Sequence, residues 1–263
     1  MTDIDDKKWA LITGASSGIG RALALEFAAG GFNVFLTARD TTALENAANE
    51  CKNRFSVQAD VFSADLSQAD QIDSLIDALS NRPIEILVNN AGFGVKGSFV
   101  ETDLDDELKM LEVQLAAMLK LTKAVLPKMI AQKSGCILNV ASVYSFSPVP
   151  KQSVYSASKS FIFSFSSSLR AELKNTGVTV SVLCPGITQT EFRTRAGIAD
   201  KKKSGITPEA VAKIAFAGTI NGKHVIVPGA SNKLFVFLSR HLPFSLQSAM
   251  INFINNRRGV NKS

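Results

Sequence analysis

Apolar residues follow two alternating rhythms along the chain. Short runs rich in Val, Ile, Leu and Phe occur at WALIT (9–13), FNVFLT (32–37), SVQADVFSA (56–64), IEILVNN (84–90), CILNVAS (136–142), VTVSVLC (178–184) and HVIVP (224–228), predicting seven strands. Between them, 3.6-type periodicity predicts helices over 18–30, 40–53, 68–81, 104–132, 153–175 and 207–221. Strands that alternate with helices imply an α/β fold, a Rossmann-type doubly wound sheet of seven mostly parallel strands with helices on both faces. The alternation runs from residue 9 to about 228 without a composition break, so a single domain over 1–263 is expected. A loop at 189–206 and a C-terminal helical extension at 230–258 fall outside the rhythm.

The first strand runs into GASSGIG and then RALALEF, a strand, glycine-rich turn and helix in which backbone N–H groups can approach a phosphate. Gly14, Gly18 and Gly20 remove side chains that would block that approach, although a tight strand-to-helix turn needs glycine in any case. GASSG also fits the G-x-S-x-G pattern of a hydrolase nucleophile at Ser16. That rival is disfavoured: one strand alone precedes Ser16, and the two histidines, His224 and His241, are expected to be structural or exposed. Arg39 follows Gly20 by nineteen residues, where a dinucleotide site reads the adenosine ribose. A cation there suits a 2′-phosphate, so NADP(H) is favoured over NAD(H), while Asp40 either competes for the ribose or caps the next helix.

Ser142 ends a strand, Tyr155 follows thirteen residues later, and Lys159 sits four residues beyond it on one helix face. A phenol is a poor proton donor or acceptor at neutral pH unless a nearby cation stabilises its anion, and Lys159 can supply that charge. Ser142 can then hold a substrate oxygen while Tyr155 transfers a proton. Tyr144, expected in the loop after the strand, has no lysine at the same spacing.

Together these residues resemble the classical short-chain dehydrogenase/reductase family over about residues 8 to 228. TGASSGIG (13–20) is similar to its cofactor turn, ADL (64–66) to its adenine-contacting segment and NNAG (89–92) to its central motif; LTKAVLPKM, Tyr155-Ser-Ala-Ser-Lys159 and PGITQT (185–190) agree as well. The resemblance implies that Tyr155 is the acid/base, that Lys159 lowers its pKa and holds the nicotinamide ribose, and that Ser142 orients the substrate. It also implies cofactor contacts from Gly14, Ser16, Ser17, Gly18, Ile19, Gly20, Asp65, Leu66, Asn90, Ala91, Gly92, Pro185, Gly186, Ile187 and Thr190. Asn90 has a simpler alternative as a tie between strands, and Thr190 as a helix cap. The chain departs from the family pattern at Gln114, where Asn usually helps a water reach the lysine; a rebuilt or less efficient relay is expected there. A cofactor-binding sensor with little turnover is the alternative this departure supports.

A substrate wall is expected from 93–99, 143–152 and 189–206, contributing Phe93, Val95, Val143, Phe146, Val149 and Phe192, which suits an apolar carbonyl or alcohol. For the extension, three uses compete: covering the substrate mouth, burying surface in an oligomer, or lying at a membrane surface. The resemblance favours a homodimer or homotetramer built through 104–132 and 153–175. Of 263 residues, 46% are apolar and 20% charged, which excludes disordered and disulfide-scaffold classes. The net charge of +6 allows weak attraction to phosphates or anionic lipids without indicating either; the densest basic runs, Lys201–Lys203 and Arg257–Arg258, are not interleaved with aromatic residues and read as solvated surface, not a nucleic-acid site. Cys51, Cys136 and Cys184 have no metal-type spacing and read as core thiols in a reducing compartment, so no metal is expected. The acidic start MTDIDDKK and the lack of 18 consecutive apolar residues predict a cytoplasmic protein without a membrane span.

Overall fold

Strands whose side chains are apolar on both faces must be covered on both, and helices provide that cover here. The computed structural model describes residues 8–80, 82–192, 205–243, 246, 247 and 251. Its strands are β1 (Trp9–Thr13), β2 (Asn33–Ala38), β3 (Ala59–Ser63), β4 (Ile84–Asn89), β5 (Gly135–Val140), β6 (Val178–Leu183) and β7 (Val225–Ile226). They form one sheet in the order β3-β2-β1-β4-β5-β6-β7, and every pairing is parallel. Side-chain alternation divides each strand between two cores. Ala10 and Ile12 of β1 face one core, and Trp9 and Leu11 face the other.

On the first face, α1 (Gly18–Ala29), α2 (Thr41–Arg54) and α7 (Pro208–Ile220) supply Leu23, Phe27, Leu44, Ala47, Val211 and Ala215. On the second, α3 (Ala69–Ala78), α5 (Ala117–Ala131) and α6 (Ser153–Glu172) supply Ile72, Leu75, Leu121, Val125, Met129 and Leu169. The predicted 104–132 helix is divided: α4 (Leu104–Leu111) passes into a π-helical turn, Glu112–Ala116, before α5 begins. Outside the sheet layers, α8 (Ala230–His241) occupies the extension. Asp40 caps α2 by accepting from the Ala43 N–H at 2.9 Å, which is the second of the two uses its position allowed.

The chain runs outward from β1 to β3 and then returns to β4 beside β1, so the connections leaving β1 and β4 diverge and open a crevice at the carboxyl ends of those strands. Behind the crevice, a buried polar chain crosses the sheet. The Asn89 amide donates to Asn139 Oδ1 at 2.8 Å and to Thr122 Oγ1 at 3.3 Å, and the Asn139 amide donates to Ser166 Oγ at 2.9 Å. β4 and β5 are thereby joined to α5 and α6.

Candidate active site

The crevice is a cavity of about 1850 Å³, and segments lining it follow the ends of β1, β2, β3, β4, β5 and β6. At the end of β1, Gly14 (φ 67°) and Gly18 (φ 56°) adopt left-handed conformations that glycine tolerates without strain. A Cβ on Gly20 would lie 2.2 Å from the Gly14 carbonyl oxygen, so only glycine allows α1 to start this close to the turn. Ser17, at the N-cap, makes no side-chain hydrogen bond to the helix, and no acid stands in its first turn. The start of α1 thus faces the cavity with positive dipole and uncapped N–H groups, an arrangement that fits a phosphate. Ser16, Ser17 and Ile19 line the same rim.

β4 is sewn to this turn. Thr13 Oγ1 accepts from the Asn90 and Ala91 N–H groups, both at 2.9 Å, and the Asn90 amide donates to the Thr13 carbonyl at 2.9 Å. Asn90 is therefore both a tie between strands and part of the cavity wall, with Ala91 and Gly92 beside it. At the other end of the cavity lie Arg39, exposed after β2, with Asp65 and Leu66 after β3. Burial works to raise the Asp65 pKa, but hydrogen bonds from the Ser67 N–H and hydroxyl, with the charges of Arg39 and Lys109, outweigh it and hold the carboxyl below its ordinary range.

β5 and β6 set the end that holds Ser142, Tyr155 and Lys159. Ser142 leaves β5 as the N-cap of a 3₁₀ turn, Val143–Phe146, and accepts from the Tyr144 N–H at 3.2 Å. The Ser145 hydroxyl donates to the Lys159 carbonyl at 2.8 Å, and the Ser160 hydroxyl to the Ser145 carbonyl at 3.1 Å, binding this turn to α6. Tyr155 and Lys159 consequently face Ser142 from one side of α6. Both are buried, at 7% and 5% exposure, and Lys159 Nζ lies 5.6 Å from the Tyr155 ring centre.

Burial pushes the Tyr155 phenol well above its ordinary range, and a hydrogen bond with Ser142 pulls it part of the way back. Burial also pulls the Lys159 amine down to about 7. Its Nζ donates to the Val140 carbonyl at 3.1 Å. An amine whose charged form burial disfavours, and which is turned to a carbonyl, does little to lower the phenol in this state. Pro185, Gly186, Ile187 and Thr190, after β6, complete the wall next to Tyr155.

Every residue expected to touch cofactor or substrate oxygen lines this cavity except Gln114. Gln114 is 2% exposed in the π-helical turn behind the wall. Its amide donates to the Phe93 carbonyl at 2.6 Å and accepts from the Ser158 hydroxyl at 3.1 Å. A Cβ on Gly92 would lie 3.1 Å from Gln114 Cγ, so the bare glycine makes room for the longer amide. The expected substrate wall divides: Phe93, Val143 and Phe192 line the cavity, whereas Val95, Phe146 and Val149 do not. Phe146 packs edge-on against Phe163 at 4.7 Å and Val149 is 2% exposed, both consumed by packing under the loop. Phe235 of α8 and Ile251 line the cavity instead. Of the loop 189–206 and the extension 230–258, residues 193–204, 244, 245, 248–250 and 252–258 lie outside the described residues, as do Lys201–Lys203, Arg257 and Arg258.

The rival nucleophile reading of Ser16 finds no histidine in the cavity wall. His224 pairs with Ser167 Oγ at 3.1 Å, and His241 with the Phe237 carbonyl at 2.7 Å.

Comparison with known proteins supplies independent context. Residues 8–201 match the family model described as short chain dehydrogenase. An uncharacterised oxidoreductase from Staphylococcus saprophyticus is 32% identical over 229 residues, covering 86% of this chain and 97% of that protein. A very-long-chain 3-oxoacyl-CoA reductase from Laccaria bicolor is 37% identical over 179 residues; the match spans 66% of this chain but only 53% of that relative. Among solved structures, a short-chain dehydrogenase from Sphingobium yanoikuyae in complex with NADPH superposes with a TM-score of 0.81 at 28% identity, covering 97% of this chain and 96% of its own. A family member from Burkholderia phymatum in complex with NAD gives 0.82 at 26% identity, covering 92% and 96%.

Proposed function

The chain belongs to the short-chain dehydrogenase/reductase family, and on that premise we propose that it uses NADP(H) to interconvert a carbonyl and an alcohol on an apolar small molecule. One observation carries the reading: Ser142, Tyr155 and Lys159 stand in the same cavity as the glycine turn and Arg39. Gly14, Ser16, Ser17, Gly18, Ile19 and Gly20 would hold the cofactor phosphates, Arg39 the 2′-phosphate, and Asp65 and Leu66 the adenine. Asn90, Lys159, Ile187 and Thr190 would hold the nicotinamide end. Bound in this way, the nicotinamide supplies hydride for reduction or takes it in oxidation.

The remaining chemistry belongs to the chain. In reduction, the Ser142 and Tyr155 hydroxyls converge on the substrate oxygen, and the Tyr155 phenol gives it a proton. The phenolate left behind lies in a low-dielectric site, where a positive charge 5.6 Å from the ring has a strong effect. A negative charge forming on Tyr155 therefore draws Lys159 toward its protonated form, which is how the lysine contributes despite its depressed pKa. Phe93, Val143, Phe192 and Phe235 offer the substrate an apolar wall. Three free cysteines suit a cytoplasmic setting, and exposed Leu108 and Phe161 on α4 and α6 suit assembly into a dimer or tetramer.

Calorimetric titration with NADPH and NADH at equal ionic strength, on wild type and Arg39→Ala, tests the cofactor. Tighter NADPH binding that Arg39→Ala removes is expected; equal or NADH-favouring binding would reject Arg39 as the phosphate reader. Tyr155→Phe should abolish turnover across a carbonyl panel while NADPH still binds. A wild type as inert as Tyr155→Phe on that panel would favour a cofactor-binding sensor.

A further inference from the structure

The charge of this chain is unevenly distributed. Residues 1–209 hold 22 Lys or Arg against 23 Asp or Glu, so they net to −1. The 54 residues after Glu209 hold seven Lys or Arg and no acid at all. α8 lies in this acid-free stretch, and large apolar residues stand on both of its sides. Phe235, Val236 and Ser239 turn inward, Phe235 reaching the cavity wall. The helix is held there by Gln247, whose amide donates to the Ser239 carbonyl at 2.8 Å and the Leu242 carbonyl at 2.7 Å.

A surface helix packed on one side normally shows polar residues on the other. Here the outward positions, spaced i, i+3 and i+4, are Leu234, Phe237 and Leu238, exposed by 59%, 59% and 37%; Leu246 beyond the helix is 54% exposed. Lys233 and Arg240 flank this ridge, both exposed. Arg240 lays its guanidinium over the half-buried Phe146 and Phe163 rings at 5.4 and 5.9 Å, on the side of the helix that packs against the fold, so its charge stands at the edge of the ridge. At twelve residues α8 is shorter than a membrane span, and among the described residues no helix is long and apolar enough to cross a membrane.

We propose that the outward face of α8, with Leu234, Phe237 and Leu238 as the buried ridge and Lys233 and Arg240 as its flanks, seats the protein on an anionic lipid surface. A second copy fits less well, because two such faces brought together would oppose cations to cations with no acid in the stretch to separate them. A lipid surface satisfies both components at once: leucine and phenylalanine enter the acyl boundary while the cations meet anionic headgroups. Phe235, on the inward side of the same helix, lines the cavity, so docking would leave the thickness of α8 between the cavity and the lipid boundary.

Co-sedimentation of the full chain with vesicles tests this, using phosphatidylcholine alone and equal parts phosphatidylcholine and phosphatidylglycerol. Partitioning should be roughly tenfold or more stronger on the anionic vesicles. The double variant Leu234→Glu/Phe237→Glu should lose it, with unchanged melting temperature and helix content because both side chains are exposed. Lys233→Glu should weaken it roughly tenfold, an effect that added salt diminishes. The proposal is overturned if wild type binds neither vesicle, binds both equally, or retains binding in the double variant. It is also overturned if light scattering shows wild type as a larger oligomer that the double variant splits, since a second copy then covers the ridge.

Discussion

Replacing Lys159 with methionine should make the protein more stable as it becomes inactive, and the gain should depend on pH in a calculable way. The amine is 5% exposed, and burial carries its pKa from the ordinary 10.5 down to about 7. A base whose pKa is lowered by folding binds its proton more tightly in the unfolded chain. Stability is therefore fully present above 10.5, falls as pH drops towards 7, and levels off below that. The whole span corresponds to about 5 kcal/mol at ~1.36 kcal/mol per pH unit. Integrated over the accessible range, about 2 kcal/mol of it returns between pH ~6 and pH ~8.5.

Methionine has a similar reach and no proton, so it lacks this dependence. It also leaves the Val140 carbonyl without the 3.1 Å bond, a cost of about 1–3 kcal/mol that does not vary with pH. Urea unfolding of wild type and Lys159→Met across that range measures the difference between them, in which titrations shared by both proteins cancel. Cys184 is the exception, because burial pushes its thiol up to about 12 while the Lys159 charge pulls it down, so the range stops at pH ~8.5, below the ordinary thiol pKa of 9.0, where little of the unfolded thiol has ionised. Wild type should gain about 2 kcal/mol on the variant from the acidic to the alkaline end. A difference that stays flat with pH would refute the argument that the buried amine pays a desolvation cost.

Two further outcomes follow from the geometry. Gly20→Ala places a methyl 2.2 Å from the Gly14 oxygen and 2.4 Å from Asn90 Nδ2, so NADPH affinity should fall at least roughly tenfold by calorimetry, about 1.4 kcal/mol; unchanged affinity would mean that the close approach at the turn is not needed. Gln114→Leu removes the partner of the half-buried Phe93 carbonyl and an acceptor of the buried Ser158 hydroxyl and should cost about 1 kcal/mol in urea unfolding, whereas an unaltered midpoint would show that the amide holds nothing in place.

The sheet was legible because five- and six-residue apolar runs buried on both faces have few alternatives, and β1, β2, β4, β5 and β6 fall within one or two residues of their predicted limits. β3 starts later, at Ala59, and β7 shrinks to Val225–Ile226, since an edge strand is bounded by what its single neighbour pairs with rather than by its own composition. The π-helical turn at Glu112–Ala116 was invisible, because a single five-residue turn is shorter than the window over which a 3.6-residue rhythm can be read. Motif residues could be located from their order in the chain. Phe146, Val149 and Phe235 could not: an apolar side chain in a loop or surface helix reads the same whether it packs inward or faces a ligand, and only the neighbouring elements decide.

The buried Asn89, Thr122, Asn139 and Ser166 chain has a consequence for how the molecule is assembled. A strand of β4 entered one residue out of step would turn the Asn89 amide to the opposite face, among the leucines and valines of the other core. The Asn139 amide would then lose its neighbour, and each stranded group would cost about 1–3 kcal/mol. The same chain reaches Ser166 on α6, the helix that presents Tyr155 and Lys159. Misthreaded molecules are thereby penalised, and α6 holds Tyr155 and Lys159 against a correctly threaded sheet.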